Sequence, residues 1–316
     1  MTNFAEGPLP TGVVASTEAY TLVRFSGKDA RDFLQRVLTQ DVMHLGTKVA
    51  LAGYCDPKGR LLGSMRLWLE GTENVMALMP KDNAEPVLKR LRMFVLRDDV
   101  TITEVNDAYR VYALVTDAKA TVEKLGYAFP ADAATVSLVA PDTYVIRLED
   151  ATAIAEAKID AERALVILPA TSEVALEATD STALFLLSDI AAGIPFVWTQ
   201  TNGQFVPQMI NLDLVNGVSF TKGCYPGQEV VSRMKHIGKP SRRMFAGRLA
   251  DGYLPLPGTS LFAGDAEVGF VVTAAKVGEV TYFLYSLQLS ALGQPLSVGE
   301  AGAHPMTEVK LPYTVE

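Results

Sequence analysis

The sequence predicts an α+β fold, with two ferredoxin-like α+β units followed by a small C-terminal antiparallel β-barrel. Residues 13–105 give the order β-α-β-β-β-α-β, which differs from the regular alternation of a doubly wound sheet. Residues 107–180 repeat a similar rhythm more weakly. From Met244 onward, short strands alternate with Gly/Pro turns over roughly 70 residues, which is typical of a small barrel or sandwich.

The first unit has the clearest pattern. Residues 20–25 have β composition, and Phe33, Leu34, Val37 and Leu38 recur at helical spacing. Residues 50–69 read as a β-hairpin because Asp56-Pro-Lys-Gly59 is a strong turn signal. The remaining predicted elements of this unit are a strand at 74–79, a helix at 82–94 and a strand at 95–102.

The rest of the chain gives weaker elements, and its loops before residue 180 carry little chemistry. We place a boundary near Pro240, so that residues 1–240 form one region, with units of about 1–105 and 106–240, and residues 241–316 form the barrel. The elements predicted before the boundary are strands at 109–115, 135–148 and 163–168 and helices at 117–125, 149–160 and 181–192. The strands predicted after it are 245–249, 259–262, 267–273, 279–289, 295–298 and 304–311.

Composition limits the possible functions. The chain has 316 residues, a net charge of −8 and no apolar run long enough for a transmembrane helix. No signal peptide is visible around Glu6, and two cysteines do not make a disulfide framework, so we expect a reducing, cytoplasmic location. Three scattered histidines indicate no metal site, and the acidic pI argues against broad nucleic-acid binding.

The densest cluster of unusual residues runs from Asn216 to Arg243. Cys224 lies in a loop shaped by two glycines and a proline, with Lys222 two positions before it. From Lys222 to Arg243 the chain has six Lys/Arg and one acid, which indicates an anionic ligand in an otherwise acidic protein. An amide-rich loop at 199–213 leads into this stretch and suits recognition of a polar heterocycle, or is simply an Asx-rich surface loop.

The motif Lys222-Gly-Cys-Tyr-Pro-Gly-Gln-Glu229, preceded by Gly193-Ile-Pro195 and by residues 205–213, resembles the YgfZ family. That family comprises folate-binding relatives of the glycine-cleavage T-protein that support iron–sulfur proteins. The chain departs from the commonest form of the motif at Pro226, where threonine is usual. The resemblance extends to Asp56-Pro-Lys-Gly-Arg60, to Phe94-Val-Leu-Arg97 and to the C-terminal barrel, and it is thin between 107 and 180.

This resemblance implies three parts arranged as a ring, with tetrahydrofolate in the central hole. It also implies a role in assembling or maintaining 4Fe–4S enzymes, including radical enzymes that modify tRNA. T-proteins carry an aspartate pair in the hairpin near residue 60, whereas this chain has Gly63 and Ser64. Because general acid–base groups typically supply about 10²–10⁴-fold in rate, we expect no classical aminomethyltransferase activity.

Several residues are candidates for the site, each with a structural alternative. Cys224 is expected to be a reactive thiol, or else a small buried residue in a tight turn. Lys222, Arg242 and Arg243 are expected to grip the folate glutamate tail or a partner's phosphate, or else to form a solvated basic face. The other expected folate-binding residues are Gln228, Glu229, Gln208, Asn211 and Trp198.

Several of these residues also have a structural alternative, which for Gln228 and Glu229 is to fix the Cys224 loop. Glu229, with Pro226, would open a short helix. Asn211 and Asp213 would order the amide-rich loop, and Trp198 would pack in the core. Cys55 is expected to be a core residue.

Three functions remain open from the sequence. The leading hypothesis is a tetrahydrofolate-binding accessory protein whose Cys224 loop acts on, or protects, iron–sulfur client proteins. The second is a folate-dependent one-carbon transferase or demethylase that uses a different base. The third is a cysteine hydrolase, for which His236 is the nearest candidate base. A pure interaction module is a further alternative.

Overall fold

The first unit is a five-stranded antiparallel sheet that carries two helices. The computed structural model describes residues 13–178 and 183–315. Strand β1 (Val14–Ala15) joins the second sheet, and the first sheet has the order β3-β4-β5-β2-β6. Its elements are β2 (Tyr20–Ser26), α1 (Ala30–Val37), β3 (Ala50–Cys55), β4 (Leu61–Glu70), β5 (Asn74–Pro80), α2 (Ala84–Phe94) and β6 (Thr101–Glu104).

The predicted order β-α-β-β-β-α-β is therefore confirmed, including the hairpin at Asp56–Gly59. The strand predicted at 95–102 is wrong over its first six residues, because β6 begins only at Thr101. Residues 95–100 form an irregular segment with bends, in which Leu96 is 83% exposed. Three of these six residues are charged, and no strand within the described ranges pairs with them.

The second unit is another five-stranded antiparallel sheet, with the order β1-β7-β10-β9-β8. Its further elements are β7 (Tyr109–Leu114), α3 (Ala118–Lys124), β8 (Thr135–Ala140), β9 (Thr143–Arg147) and β10 (Ala164–Pro169). The helix predicted at 149–160 is wrong. That segment has one short 3-10 turn at Ala155–Ala157, a bridge between Ile154 and Ile159, and a left-handed Lys158 with φ 52°.

Two helices frame the Cys224 stretch. They are α4 (Ala183–Ala191) and α5 (Gln228–His236). The start of the predicted 181–192 helix lies outside the described residues, and Gly193, with φ 66°, ends α4 as expected. Helix α5 begins after Gly227, so Pro226 lies before the helix and Glu229 lies in its first turn.

The C-terminal region is a seven-stranded antiparallel sheet with the order β16-β15-β12-β13-β14-β11-β17. Its two edge strands are separated in the chain by Met306 alone, so the sheet curls into a nearly closed barrel. The strands are β11 (Arg242–Leu249), β12 (Ser260–Ala263), β13 (Ala266–Val277), β14 (Val280–Gln288), β15 (Leu296–Val298), β16 (His304–Pro305) and β17 (Thr307–Val309). The α+β class and the barrel are confirmed, whereas the ferredoxin-like assignment of the first two units stays a prediction.

One apolar core joins all three regions. The largest cluster of buried side chains contains Trp68 from the first sheet, Ile167 from the second and Leu284 from the barrel. Helix α4 packs against β13 and β14, and its Phe185 contacts the Tyr20 ring at 5.1 Å between centroids. The sites formed between the regions are therefore built on a continuous packed core. No helix in the ranges 13–178 and 183–315 is both long and apolar enough to cross a membrane.

Candidate functional site

Cys224 lies at the surface, in the loop that precedes α5. Its side chain is exposed, unlike that of the buried Cys55. Burial raises the pKa of the Cys55 thiol well above its ordinary value, which agrees with the core role expected for it. Cys224 lines a shallow surface depression of about 480 Å³. The other residues lining it are Pro57, Tyr225, Gly227, Gln228, Glu229 and Ser232.

The turn at Asp56–Gly59 supports the Cys224 loop. The Asp56 carboxylate accepts the backbone N–H groups of Lys58 and Arg60 at 2.8 and 2.9 Å, which fixes the turn. Gly227, with φ 79°, lies directly on it, and a Cβ at Gly227 would be 2.5 Å from the Asp56 carbonyl oxygen. Only glycine allows this approach, so the two motifs of the sequence form one structural unit.

Lys222 occupies a different position from the one expected. Its Nζ donates to the carbonyl oxygens of Gln35, Leu38 and Gln40 at 2.6, 2.6 and 2.9 Å. Burial lowers the pKa of Lys222 to about 8, although the Asp41 carboxylate opposes this shift. Because all three ammonium donors are used by backbone carbonyls, Lys222 tethers the loop to the end of α1 instead of gripping a ligand.

Arg242 and Arg243 also face the protein. The Arg242 guanidinium lies 5.4 Å from the Phe270 ring centroid and donates to the Val268 carbonyl at 3.3 Å. Burial lowers its pKa, with Glu267 opposing. Arg243 is buried and pairs with Asp213 at 2.7 Å. Both arginines therefore join β11 to its surroundings, and neither lines the depression beside Cys224.

The amide side chains order the loop, which was the structural alternative. Gln208 donates to the Val231 carbonyl at 2.8 Å, and Asn211 both donates to and accepts from the backbone of Met244. Trp198 is buried, with its ring 5.9 Å from that of Tyr20. Of the expected folate-binding residues, only Gln228 and Glu229 lie beside Cys224.

His236 is poorly placed to act as a base for Cys224. It ends α5, about 12 Å along the helix axis from Gln228 at 1.5 Å per residue. Its ring packs edge-on against Phe220 at 6.1 Å. Within the described ranges the depression contains no histidine, so the nucleophile–base pair that a cysteine hydrolase needs is not assembled there.

A larger cavity lies between the first two units and the segment before Cys224. Its volume is about 850 Å³. Three stretches supply its wall, namely residues 40–51, residues 132–135 with Glu149, and residues 215–221. Its charged and polar lining residues include Gln40, Asp41, His44, Lys48, Asp132, Glu149 and Asn216. Sequence reasoning did not identify these residues as a site.

An ion cluster reaches this cavity through one of its members, Glu149. Glu149 accepts from Arg66 at 3.1 Å and lies 3.5 Å from Arg163, both through Oε2. Both arginines are fully buried and also contact Asp189, at 3.2 and 2.6 Å. Burial opposes ionisation of Asp189, but the arginines and the Tyr20 hydroxyl outweigh it and lower its pKa. Glu149 Oε1 makes no hydrogen bond to any residue in the described ranges.

One sequence signal pointed to this cluster. Arg66 lies in the middle of the otherwise apolar β4, where a charged side chain is rare unless it is paired. Its partners Glu149 and Asp189 are more than 80 residues away in sequence. The pattern therefore indicates that Arg66 is paired but does not identify the residues that pair with it.

The chain is similar over nearly its whole length to curated proteins named "tRNA-modifying protein YgfZ". The protein of that name from Edwardsiella ictaluri is 31% identical over 307 residues, which cover 93% of this chain and 90% of the relative. The chain belongs to the YgfZ family. A second member, from Cronobacter sakazakii, is 29% identical over 334 residues, covering 99% of this chain and 96% of the relative. No protein-family model matches the chain.

The fold comparison extends beyond the family. The crystal structure of glycine cleavage system aminomethyltransferase T from Bartonella henselae matches with a TM-score of 0.72 and 13% identity. The match covers 95% of this chain and 85% of that chain. Ser64, which the resemblance placed where T-proteins carry an acid, is buried, and its hydroxyl accepts the Val197 N–H at 2.8 Å. The chain therefore shares the fold of this aminomethyltransferase, and the Ser64 hydroxyl has a structural partner in the hairpin.

Proposed function

We propose that this chain binds tetrahydrofolate in the cavity between its α+β units and, through Cys224, supports iron–sulfur proteins that include tRNA-modifying enzymes. The two α+β units and the barrel would form the three-part ring that the resemblance implies, with the cavity as its hole. Relatives named as tRNA-modifying proteins support the tRNA part of this proposal. The lining of the cavity is the observation on which the folate part depends.

The size and chemistry of the cavity suit a folate. Its volume of about 850 Å³ falls within the range of small-molecule sites, roughly 300–1,000 Å³. Two buried arginines hold Glu149 in place through Oε2, and Oε1 makes no hydrogen bond within the described ranges. The adjacent N–H donors of a pterin ring would bond that oxygen, because a carboxylate held in a fixed position suits such a donor edge.

The Cys224 side of the proposal rests on exposure and charge. The thiol is exposed, and Lys58, Arg233 and Lys235 are exposed on the turn and helix that flank it. Such a surface favours approach of an acidic partner, since complementary charge steers association. With Ser64 where an aminomethyltransferase has an acid, we propose an accessory role in place of aminomethyl transfer.

The folate proposal is tested by a two-by-two calorimetric experiment under anaerobic conditions. Tetrahydrofolate and its 2-desamino-2-methyl analogue are each titrated into the wild type and into Glu149→Gln. We expect saturable binding of tetrahydrofolate to the wild type, weakened about 10- to 100-fold by either change alone and little further by both. Glu162→Gln, at a half-exposed carboxylate paired with Arg147, is the matched control.

Two outcomes would contradict this proposal at different points. If folded wild type does not bind tetrahydrofolate, the ligand is wrong. If Glu149→Gln and the wild type bind it equally, the ligand lies elsewhere in the molecule. Because the analogue removes the donor from the ligand and leaves the protein unchanged, loss of its binding cannot come from a folding defect.

The iron–sulfur proposal is tested separately in cells that lack the protein. Cys224→Ala should be as stable as the wild type, because the side chain is exposed. We expect it to fail to restore the activity of an iron–sulfur tRNA-modifying enzyme, with Ser232→Ala in the same depression as the control. Full restoration by Cys224→Ala would remove the thiol from the proposed function.

A further inference from the structure

The segment that carries Cys224 also forms part of the cavity wall. Residues 215–221 line the large cavity, and Cys224 follows only three residues later on the outer surface. The same short piece of backbone is therefore exposed to the cavity at one end and to the exterior at the other. Movement of residues 215–221 would therefore displace Cys224, unless other contacts hold the residues between them in place.

The wall is bonded to the loop after α1. Thr39 donates through its hydroxyl to the Gly217 carbonyl at 2.6 Å, and its own carbonyl accepts the Ser219 N–H at 2.9 Å. The Gln40 side-chain amide donates to the Asn216 carbonyl. These bonds fix residues 216–219 against residues 39–40.

Lys222 extends this attachment to the thiol. Its three hydrogen bonds reach the carbonyls of Gln35, Leu38 and Gln40, where the end of α1 offers unpaired acceptors and partial negative charge. Gln40 connects the cavity to the tether, since it lines the cavity and its side chain holds Asn216, while its backbone carbonyl accepts from Lys222. A ligand that touches Gln40 therefore contacts the anchor of the Cys224 loop.

A second route leads through α5. Phe220 lines the cavity, and its ring contacts His236 and lies 5.6 Å from the Lys235 ammonium. Of the nine residues of α5, all of them described, only Val231 is buried. The helix that follows Cys224 is therefore held by few contacts, one of which belongs to the cavity wall.

We propose that Lys222 is a positioning residue that couples occupancy of the cavity to the reactivity of Cys224. A ligand that orders Gln40 and the 216–221 wall holds the tether closed and restricts the Cys224 loop. Without Lys222 the loop moves independently of the cavity. The ligand half of this inference rests on the proposed function, whereas the tether itself does not.

The test measures the rate at which iodoacetamide alkylates Cys224 at pH 7, with and without tetrahydrofolate. Mass spectrometry monitors the reaction. In the wild type we expect the ligand to slow alkylation about 5-fold or more. Lys222→Met should raise the rate without ligand and lose the ligand effect. Lys58→Met is the matched control, because it removes a positive charge beside the loop without touching the tether. Buried Cys55 should stay unmodified in every variant and so reports intact folding.

The outcomes separate this inference from the proposed function. If calorimetry shows binding to the wild type but the alkylation rate does not change, the coupling is wrong. If Lys222→Met and Lys58→Met give the same rate without ligand as the wild type, the tether is wrong. If the wild type does not bind, the proposed function fails and the tether is still judged by the rates without ligand. Should Lys222→Met not fold, Gln40→Ala breaks the side-chain bond to Asn216 and leaves the Lys222 bonds in place, so an unchanged ligand effect in that variant would contradict coupling through Gln40.

Discussion

Two of the regions in which the molecule buries positive charge satisfy it in opposite ways. In the ion cluster, Arg66 and Arg163 meet the carboxylates of Glu149 and Asp189. At the tether, Lys222 meets three neutral carbonyls. Burial lowers an arginine's pKa, but the carboxylates outweigh it and raise that of Arg66, whereas burial lowers the pKa of Lys222 to about 8.

The difference shows how a rigid cavity wall at Glu149 and a more mobile Cys224 loop can lie in the same molecule. A buried ion pair resists the loss of either partner, because the remaining charge is left uncompensated in a poorly solvated place. Removal of a buried ammonium that is bonded only to carbonyls costs less free energy, because the acceptors left behind are neutral. The cluster therefore fixes Glu149 in the cavity wall, and the tether is the weaker attachment next to the thiol.

The largest expected effect is on the cluster. Arg163→Met should lower the free energy of unfolding by about 3–5 kcal/mol, because it leaves the buried Asp189 and the partly buried Glu149 with one arginine. Urea unfolding measures this. Arg36→Met, at an exposed pair with Asp98, should lose less than ~1 kcal/mol. Equal losses in the two variants would show that burial does not distinguish these ion pairs.

The second-largest loss of stability is expected where Gly227 of the Cys224 loop contacts the hairpin turn. Gly227 and Gly126 have nearly the same φ, 79° and 81°, but only Gly227 would bring a Cβ within 3 Å of backbone atoms. Gly126→Ala should cost about 1 kcal/mol from its left-handed conformation alone. Gly227→Ala should cost about 2–4 kcal/mol, because the backbone of the turn must also move.

The pair of glycine variants also reports on the thiol. Displacement of the turn in Gly227→Ala should change the alkylation rate of Cys224, and Gly126→Ala should leave it unchanged. If both variants unfold at the same urea concentration, the loop does not depend on the turn for its position.

A smaller effect is expected at the tether. Lys222→Met should lower the free energy of unfolding by about 1–3 kcal/mol, the usual contribution of hydrogen bonds from a charged group. Lys58→Met, in the exposed turn, should change it by less than about 0.5 kcal/mol. A loss at Lys222 larger than that at Arg163 would reverse the comparison and make the loop the rigid part.

The last expected effect is a pH dependence of the tether. The pKa of Lys222 is about 8 in the folded protein and 10.5 for the ordinary side chain. Between these values the unfolded chain binds more protons, so the contribution of Lys222 to stability rises with pH, by at most ~1.4 kcal/mol per unit. The difference in unfolding free energy between the wild type and Lys222→Met, measured from pH 7 to 10, should grow above about pH 8. A constant difference would mean that Lys222 does not titrate in this window.

The sequence by itself determined the local structure and the family. Helical apolar spacing was sufficient for α1 and α2, because each has one face packed in the core, and the Asp56–Gly59 turn signal was sufficient for the hairpin. The Gly/Pro-shaped loop located Cys224 and its neighbours Gln228 and Glu229. Residues 95–100 and 149–160 were assigned incorrectly, because local composition without a tertiary partner does not decide between strand, helix and loop.

Only the tertiary structure decided what the charged and amide residues do. Lys222 lies 187 residues from Gln35 in sequence, and Arg66 lies 123 residues from Asp189. Nothing in the local pattern of either residue specifies its partner, because a hydrogen bond or ion pair depends on distances that the packed core sets. For the same reason the cavity, whose wall comes from three separate stretches, became visible only when the units were folded together.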